Sequence, residues 1–159
     1  RNWEIQEIVI DIIQELALYD SCQNQLQFTV GSMLSGVIMN HRNHSYGVIE
    51  SAIQIINEVV KYSTWPIHDN MWVKLFPVII NQILETDDRE VLSNSTSLLS
   101  NYVSVCRSYF LAWKSDDGIT ALDLLLRVVE KLLNQEDSAA MNVGPLIEKI
   151  ILFFSEEIC

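Results

Sequence analysis

The sequence predicts an all-α protein, an α-solenoid of stacked helical hairpins with about seven helices. Three observations carry that expectation. Apolar residues recur at helical spacing along almost the whole chain. The polar faces of those helices are narrow. Similar loops return at similar intervals.

The elements follow in order. Over 2–19, Ile5, Ile8, Ile12 and Leu16 share one face. Over 24–40 the set is Leu26, Val30, Met33, Leu34, Val37 and Ile38, and over 46–62 it is Val48, Ile49, Ala52, Ile53, Ile56, Val59 and Val60. Residues 68–85 hold an apolar helix with Pro77 inside it, which predicts a bend and the loss of one hydrogen bond to Val73. Helices are expected over 88–110, through Leu92, Leu98, Leu99 and Val103, over 118–134, through Leu122, Leu125, Val129 and Leu132, and over 139–157, through Val143, Leu146, Ile150 and Phe154. Spacing of 3.6 over such lengths excludes strands despite the many Ile and Val residues.

On 68–85 the polar stripe is only Asn70, Lys74, Asn81 and Glu85, and on 118–134 it is Asp123, Arg127, Glu130 and Asn134. A helix with so thin a stripe packs against neighbours on several sides, as interior helices of a stack do. The loops "MNHRNHSYG" (39–47), "LETDDREV" (84–91) and "LNQEDSAA" (133–140) each join one apolar helix to the next. Ile38, Leu84 and Leu133 hold equivalent places, roughly 46 to 49 residues apart. The hairpins are then 24–62, 68–110 and 118–157, and 2–19 is the second helix of a preceding, truncated repeat. A seven-helix bundle is the alternative that the recurring hairpin disfavours. The chain opens on Arg1 inside an apolar-periodic segment and stops at Cys159, so a piece of a longer protein is expected.

The 159 residues are 49% apolar and 19% charged, with few glycines and prolines, which excludes a disordered chain. A net charge of −11 disfavours direct nucleic-acid binding and favours a basic partner. Cys22, Cys106 and Cys159, odd in number and far apart, argue for free thiols and a reducing compartment. No run reaches the ~20 apolar residues of a membrane span. The two Asn-x-Ser/Thr triplets at Asn43 and Asn94 are read as chance. No phosphate-binding glycine loop, His-Glu-x-x-His or nucleophile elbow is present, so no enzyme, cofactor or metal is expected. His41 and His44, with Cys22 the only further ligand in prospect, do not make a metal site.

Trp72-x-x-Leu75-x-Pro77-x-Ile79-x-x-x-Ile83-Leu84, followed by Asp88, Val91 and Ser95, resembles the HEAT-repeat consensus. Leu92 stands where that consensus has an arginine. The stretch "GITALDLLLRVVEKLLNQEDSAAMNVGPLIEKII" (118–151), above all Ala139-Ala140 and Val143-Gly144-x-Leu146-Ile147, is similar to the importin-β superfamily, and most similar to its importin nine type. "NSTSLLSNYVSV" (94–105) fits the same superfamily, and the resemblance covers about 88–155. Pro145 departs from it, in place of a basic residue, and is expected to bend or delay the last helix.

The resemblance implies a nuclear import receptor that shuttles between cytoplasm and nucleus. It implies basic cargo proteins such as histones, ribosomal proteins or transcription factors, passage over Phe-Gly nucleoporins, and release by Ran-GTP. A scaffold or spacer segment without cargo of its own is the alternative. A monomer is expected, without membrane contact.

Glu4, Glu7, Asp11 and Glu15 recur at spacings of three and four on one face, with no Lys or Arg on that helix after Arg1. Second helices line the inner surface of importin-like solenoids, so the resemblance makes this stripe, with Glu50 and Glu58, the candidate cargo surface; the alternative is an ordinary solvated face. The turn acids Asp87, Asp88, Asp117 and Asp137 are assigned to helix capping, and Asp87 with Glu90 reads as a capping box. Trp65, Trp72 and Trp113 near helix ends are assigned to hairpin packing, and Phe153-Phe154 to core rather than to a Phe-Gly groove. Ser93, Ser97, Ser100 and Ser104 form a small-residue track for close helix approach.

Overall fold

The apolar stripes fold into helices whose boundaries are set by caps and turns. In the computed structural model, which describes residues 2–64, 66–136 and 142–158, these helices are α1 (Asn2–Ala17), α2 (Asp20–Met39), α3 (Tyr46–Tyr62), α4 (Phe76–Glu85), α5 (Arg89–Val105), α6 (Arg107–Ala112), α7 (Ala121–Leu133) and α8 (Val143–Ile158). A six-residue π-helical segment, Asn70–Leu75, leads directly into α4. Among the described residues no strand forms; a single antiparallel bridge, Lys114 to Thr120, closes the loop before α7.

The helices make two layers. α2, α4 and α7 succeed one another in the first; α1, α3, α5 and α8 do so in the second. Each first-layer helix also packs on the second-layer helix that follows it, α2 on α3, α4 on α5 and α7 on α8. This is an all-α helical-repeat solenoid. Hydrogen bonds that join successive hairpins span 41 to 49 residues of sequence, from His68 N–H to the Gln27 Oε1 up to Lys149 Nζ to the Ser100 carbonyl.

Several boundaries differ from the periodicity reading. The helix expected over 88–110 is two helices, broken at Cys106, whose φ of −110° and ψ of 27° leave the helical region. The break turns Tyr109 and Phe110 back onto Trp72, at ring separations of 4.7 and 5.2 Å. Trp72 also stacks on Phe76 at 4.5 Å, and the buried Tyr102 hydroxyl donates to the Met71 carbonyl at 2.7 Å. Burial raises the Tyr102 phenol well above its ordinary range and pushes the Cys106 thiol up to about 12.

Pro77 does not bend a continuous α-helix. It falls in the first turn of α4, where a missing N–H is tolerated, and the wider π turns precede it. Pro145 likewise falls in the first turn of α8.

The caps also shift. Asp88, not Asp87, begins α5: its Oδ1 accepts from Val91 N–H at 2.9 Å. The expected Asp87–Glu90 box does not form; Asp88 makes a single cap hydrogen bond in its place. Asp87 instead faces Lys131 Nζ at 3.7 Å, and that ammonium donates to the Leu84 and Thr86 carbonyls that end α4, at 2.9 and 2.5 Å. Asp117 caps nothing; it precedes Gly118, whose φ of +79° turns the chain. The cap of α7 is Thr120, in a reciprocal box with Asp123, and those hydrogen bonds hold the Asp123 carboxyl below its usual range. Asp137, Ala139, Ala140, Trp65 and Cys159 lie outside the described residues.

Gly31 on α2 is a closer constraint. A Cβ there would meet the Asn70 backbone at 2.7 Å, so only glycine lets the π segment lie this near. Asn70 Nδ2 reaches the Phe28 carbonyl beside it, at 3.1 Å. Gly36, five residues on, has nothing within 4 Å of its Cβ position.

Two outcomes follow in urea unfolding. Gly31→Ala costs about 1–3 kcal/mol through overpacking, whereas Gly36→Ala gains about 0.5–1 kcal/mol from helix propensity. Asp88→Ala costs about 1 kcal/mol as a lost cap, whereas Asp87→Ala, which removes an exposed carboxylate 3.7 Å from Lys131, costs roughly 0.3 kcal/mol.

Candidate interaction surface

Because α1 and α3 lie side by side in one layer, their outer edges leave a groove of about 510 Å³ between them. Glu7, Ile10 and Asp11 come from α1; Gln54, Asn57 and Glu58 come from α3; Asn94 comes from α5. The helical spacing of these residues puts each trio on one edge.

The groove carries carboxylates and carboxamides, and no cation lines it. Glu7 and Asp11 are exposed, while Glu58 is half-buried. The Glu58 Oε2 is shielded from solvent and has no hydrogen-bond partner in the fold. A shielded carboxylate oxygen without a donor is costly and favours an incoming ammonium, guanidinium or amide.

The carboxamides tie the groove to the next hairpin. Asn101 Nδ2 donates to Asn57 Oδ1 at 2.7 Å, and Asn94 Nδ2 approaches Glu50 Oε1 at 3.5 Å. Both links span 44 residues, one repeat. Farther along, Asn142 Nδ2 bridges Ser93 and Ser97, each at 3.1 Å, and Lys149 Nζ donates to the Ser100 carbonyl. Burial lowers the Lys149 ammonium from its usual range.

The structure gathers only part of the acidic set singled out by sequence. Glu7, Asp11 and Glu58 share the groove. Glu4 and Glu15 stand exposed on α1 outside it, and Glu50 is half-buried and engaged by Asn94. Among the remaining candidates, Trp72 and Phe154 are core, and Trp113 packs edge-on to Phe76 at 6.3 Å. Phe153 is half-buried beneath the Arg107 guanidinium, 5.1 Å from its ring centre. His41 and His44 border a polar recess with Arg42, Glu85, Asp87 and Asp88, where His41 Nε2 and Arg42 lie 3.7 and 3.9 Å from Glu85. Cys22 is elsewhere, in an apolar groove between α1 and α2.

Sequence reasoning missed the polar links. Gln23 Nε2 donates to the Ala17 carbonyl at 2.6 Å, Gln27 Nε2 to Gln23 Oε1 at 3.0 Å, and His68 N–H to Gln27 Oε1 at 2.7 Å. This buried chain runs from the end of α1 through α2 to the entry of the π segment. A polar residue recurring one repeat away, as Asn101 follows Asn57, is the signal that marks such links.

No family model matches the chain. Over 148 residues it is 26% identical to Importin-9 of Drosophila melanogaster, a match that covers 92% of this chain. The chain spans only 14% of that relative's length. The similarity and the helical-repeat fold agree with the importin and HEAT-solenoid reading of the sequence.

Proposed function

We propose that this chain is a segment of an importin-like nuclear transport receptor, and that the α1–α3 groove takes lysine or arginine side chains of a basic cargo protein. The observation that carries the reading is the groove itself: Glu7, Asp11 and the shielded, unpartnered Glu58 converge there with no cation among them. Similarity to Importin-9 supports the class. A net charge of −11 adds a long-range pull on a basic partner, which speeds encounter and is screened by salt.

In this reading the complete receptor carries Ran-GTP release and Phe-Gly nucleoporin contacts, and shuttles between cytoplasm and nucleus. The segment works by binding and by small rotations between hairpins, each of which touches only its neighbours. It forms no covalent bond with cargo and needs no cofactor.

The test uses the full-length receptor and immobilised histone dimers as the basic probe. Binding is expected to weaken at least tenfold when Glu7→Lys, Asp11→Lys and Glu58→Gln are combined, and to weaken steeply as salt rises. The partner set is rejected if histone dimers and other basic nuclear proteins never bind, and Ran-GTP has no effect on whatever does. Unchanged affinity in the triple variant, with wild-type binding intact, instead assigns this segment to setting curvature alone.

A further inference from the structure

Two successive turns of the stack enclose a recess that the acidic groove does not use. The α2–α3 turn, over 40–45, and the α4–α5 turn, over 86–88, both border it. Its volume of about 590 Å³ is in the range of ligand pockets. It shares no lining residue with the α1–α3 groove.

Several polar groups of its wall are already engaged. Thr86 Oγ1 accepts from the Asp88 N–H at 3.1 Å, Asp88 Oδ1 accepts from the Val91 N–H, and Asp87 faces Lys131. Gln82 differs. It comes from the last turns of α4 and is only 3% exposed, and its Oε1 is shielded from solvent without a hydrogen-bond partner. A buried oxygen without a donor carries a penalty that an aliphatic side chain of the same length would avoid.

The two sides of the recess differ in chemistry. Arg42 and His44 bring donors from the α2–α3 turn. Glu85 brings a carboxylate from α4, three residues beyond Gln82 and so on the same helix face. Its nearest cations, His41 Nε2 and Arg42, stand at 3.7 and 3.9 Å, beyond hydrogen-bond range.

We propose that this recess binds an extended main-chain segment of a partner protein, held through its peptide groups rather than its side chains. The Gln82 carboxamide carries the argument. It holds a donor and an acceptor side by side, and rotation about its last bond presents either one to the recess. A peptide group offers the same pair, so each satisfies the other. The neighbouring peptide groups of the segment then meet Glu85 on one side with an N–H and Arg42 on the other with a carbonyl. A lysine or arginine ligand has donors only, and it would be desolvated beside Arg42. An anion would meet Glu85, Asp87 and Asp88. A neutral main chain avoids both conflicts.

The test is made on the full-length protein and is independent of basic cargo. Benzoylphenylalanine replaces Tyr46, which is 66% exposed at the recess. The probe is a biotinylated, end-blocked tetra-alanine peptide. Its N-methylated form is the control, which keeps the side chains and removes the N–H donors. On irradiation the plain peptide is expected to cross-link, and N-methylation to lower the yield at least tenfold. Added salt is expected to change the yield less than twofold, because the ligand is uncharged. Equal yields from the two peptides, or none from either, overturn the proposal. A cross-link formed without added peptide, to another segment of the same chain, overturns the assignment to a partner.

Gln82→Met is the second measurement, since it keeps the length of the side chain and removes the amide. Capture of the plain peptide is expected to fall at least tenfold, while the buried Cys106 thiol stays as unreactive to alkylation as in wild type. Capture retained in Gln82→Met overturns the proposal. Capture and Cys106 protection lost together assign Gln82 to the fold and overturn it as well.

Discussion

α3 buries Ile53, Ile56 and Val60 because α2 lies across it while α1 and α5 flank it. Each such side chain contributes about 1.5–3 kcal/mol when fully removed from water. A 17-residue helix is marginal by itself, since nucleation is costly and propensity differences are small. Order in each helix therefore depends on contact with its neighbours in the stack. The same dependence explains the narrow polar stripes, because a helix covered on several sides has little surface left for solvent.

Burial on that scale traps polar groups between hairpins, and they must find partners there. Gln23 and Gln27 carry a hydrogen-bonded chain from the end of α1 to the His68 N–H. Asn101 meets Asn57, and Lys131 covers the carbonyls that end α4. Apolar faces would tolerate sliding or rotation of one hairpin on the next. These polar contacts do not, because a displaced hairpin would leave a buried donor or acceptor unpaired at a cost of about 1–3 kcal/mol each. The α1–α3 groove inherits its shape from this register, with Asn57 held by Asn101 of the next hairpin and Asn94 supplied by that hairpin. Its acidity is thus presented on a defined surface, and small rotations between hairpins would widen or narrow it.

The helical spacing of apolar residues was legible throughout, and so was the all-α helical-repeat fold. Boundaries were harder, since they turn on a single residue. Cys106 interrupts an apolar pattern that continues unbroken through Tyr109 and Phe110, and the break sets both rings against Trp72 of a segment distant in sequence. Pro77 announced irregularity but not its kind, because a π segment is stabilised by packing against Gly31 and Tyr102, both distant in sequence. Asp87 and Asp88 are chemically equal as caps, and one rotation about the backbone chooses between them. For the candidate site, the acidic stripe of α1 was visible. Its separation into Glu7 and Asp11 inside the groove, and Glu4 and Glu15 outside, depends on where α3 lies. The cross-hairpin amides were invisible for the same reason, since a polar residue's partner is known only once the register is known.

Native-state hydrogen exchange on this 159-residue chain tests the nearest-neighbour dependence most directly. Amides of α3 and α5, packed against helices of both layers, are expected to exchange only with global unfolding, whereas those of α1, with its apolar stripe uncovered, exchange through local opening orders of magnitude faster. Protection of α1 equal to that of α3 would contradict it, because a helix that is stable without its neighbours does not owe its order to the stack.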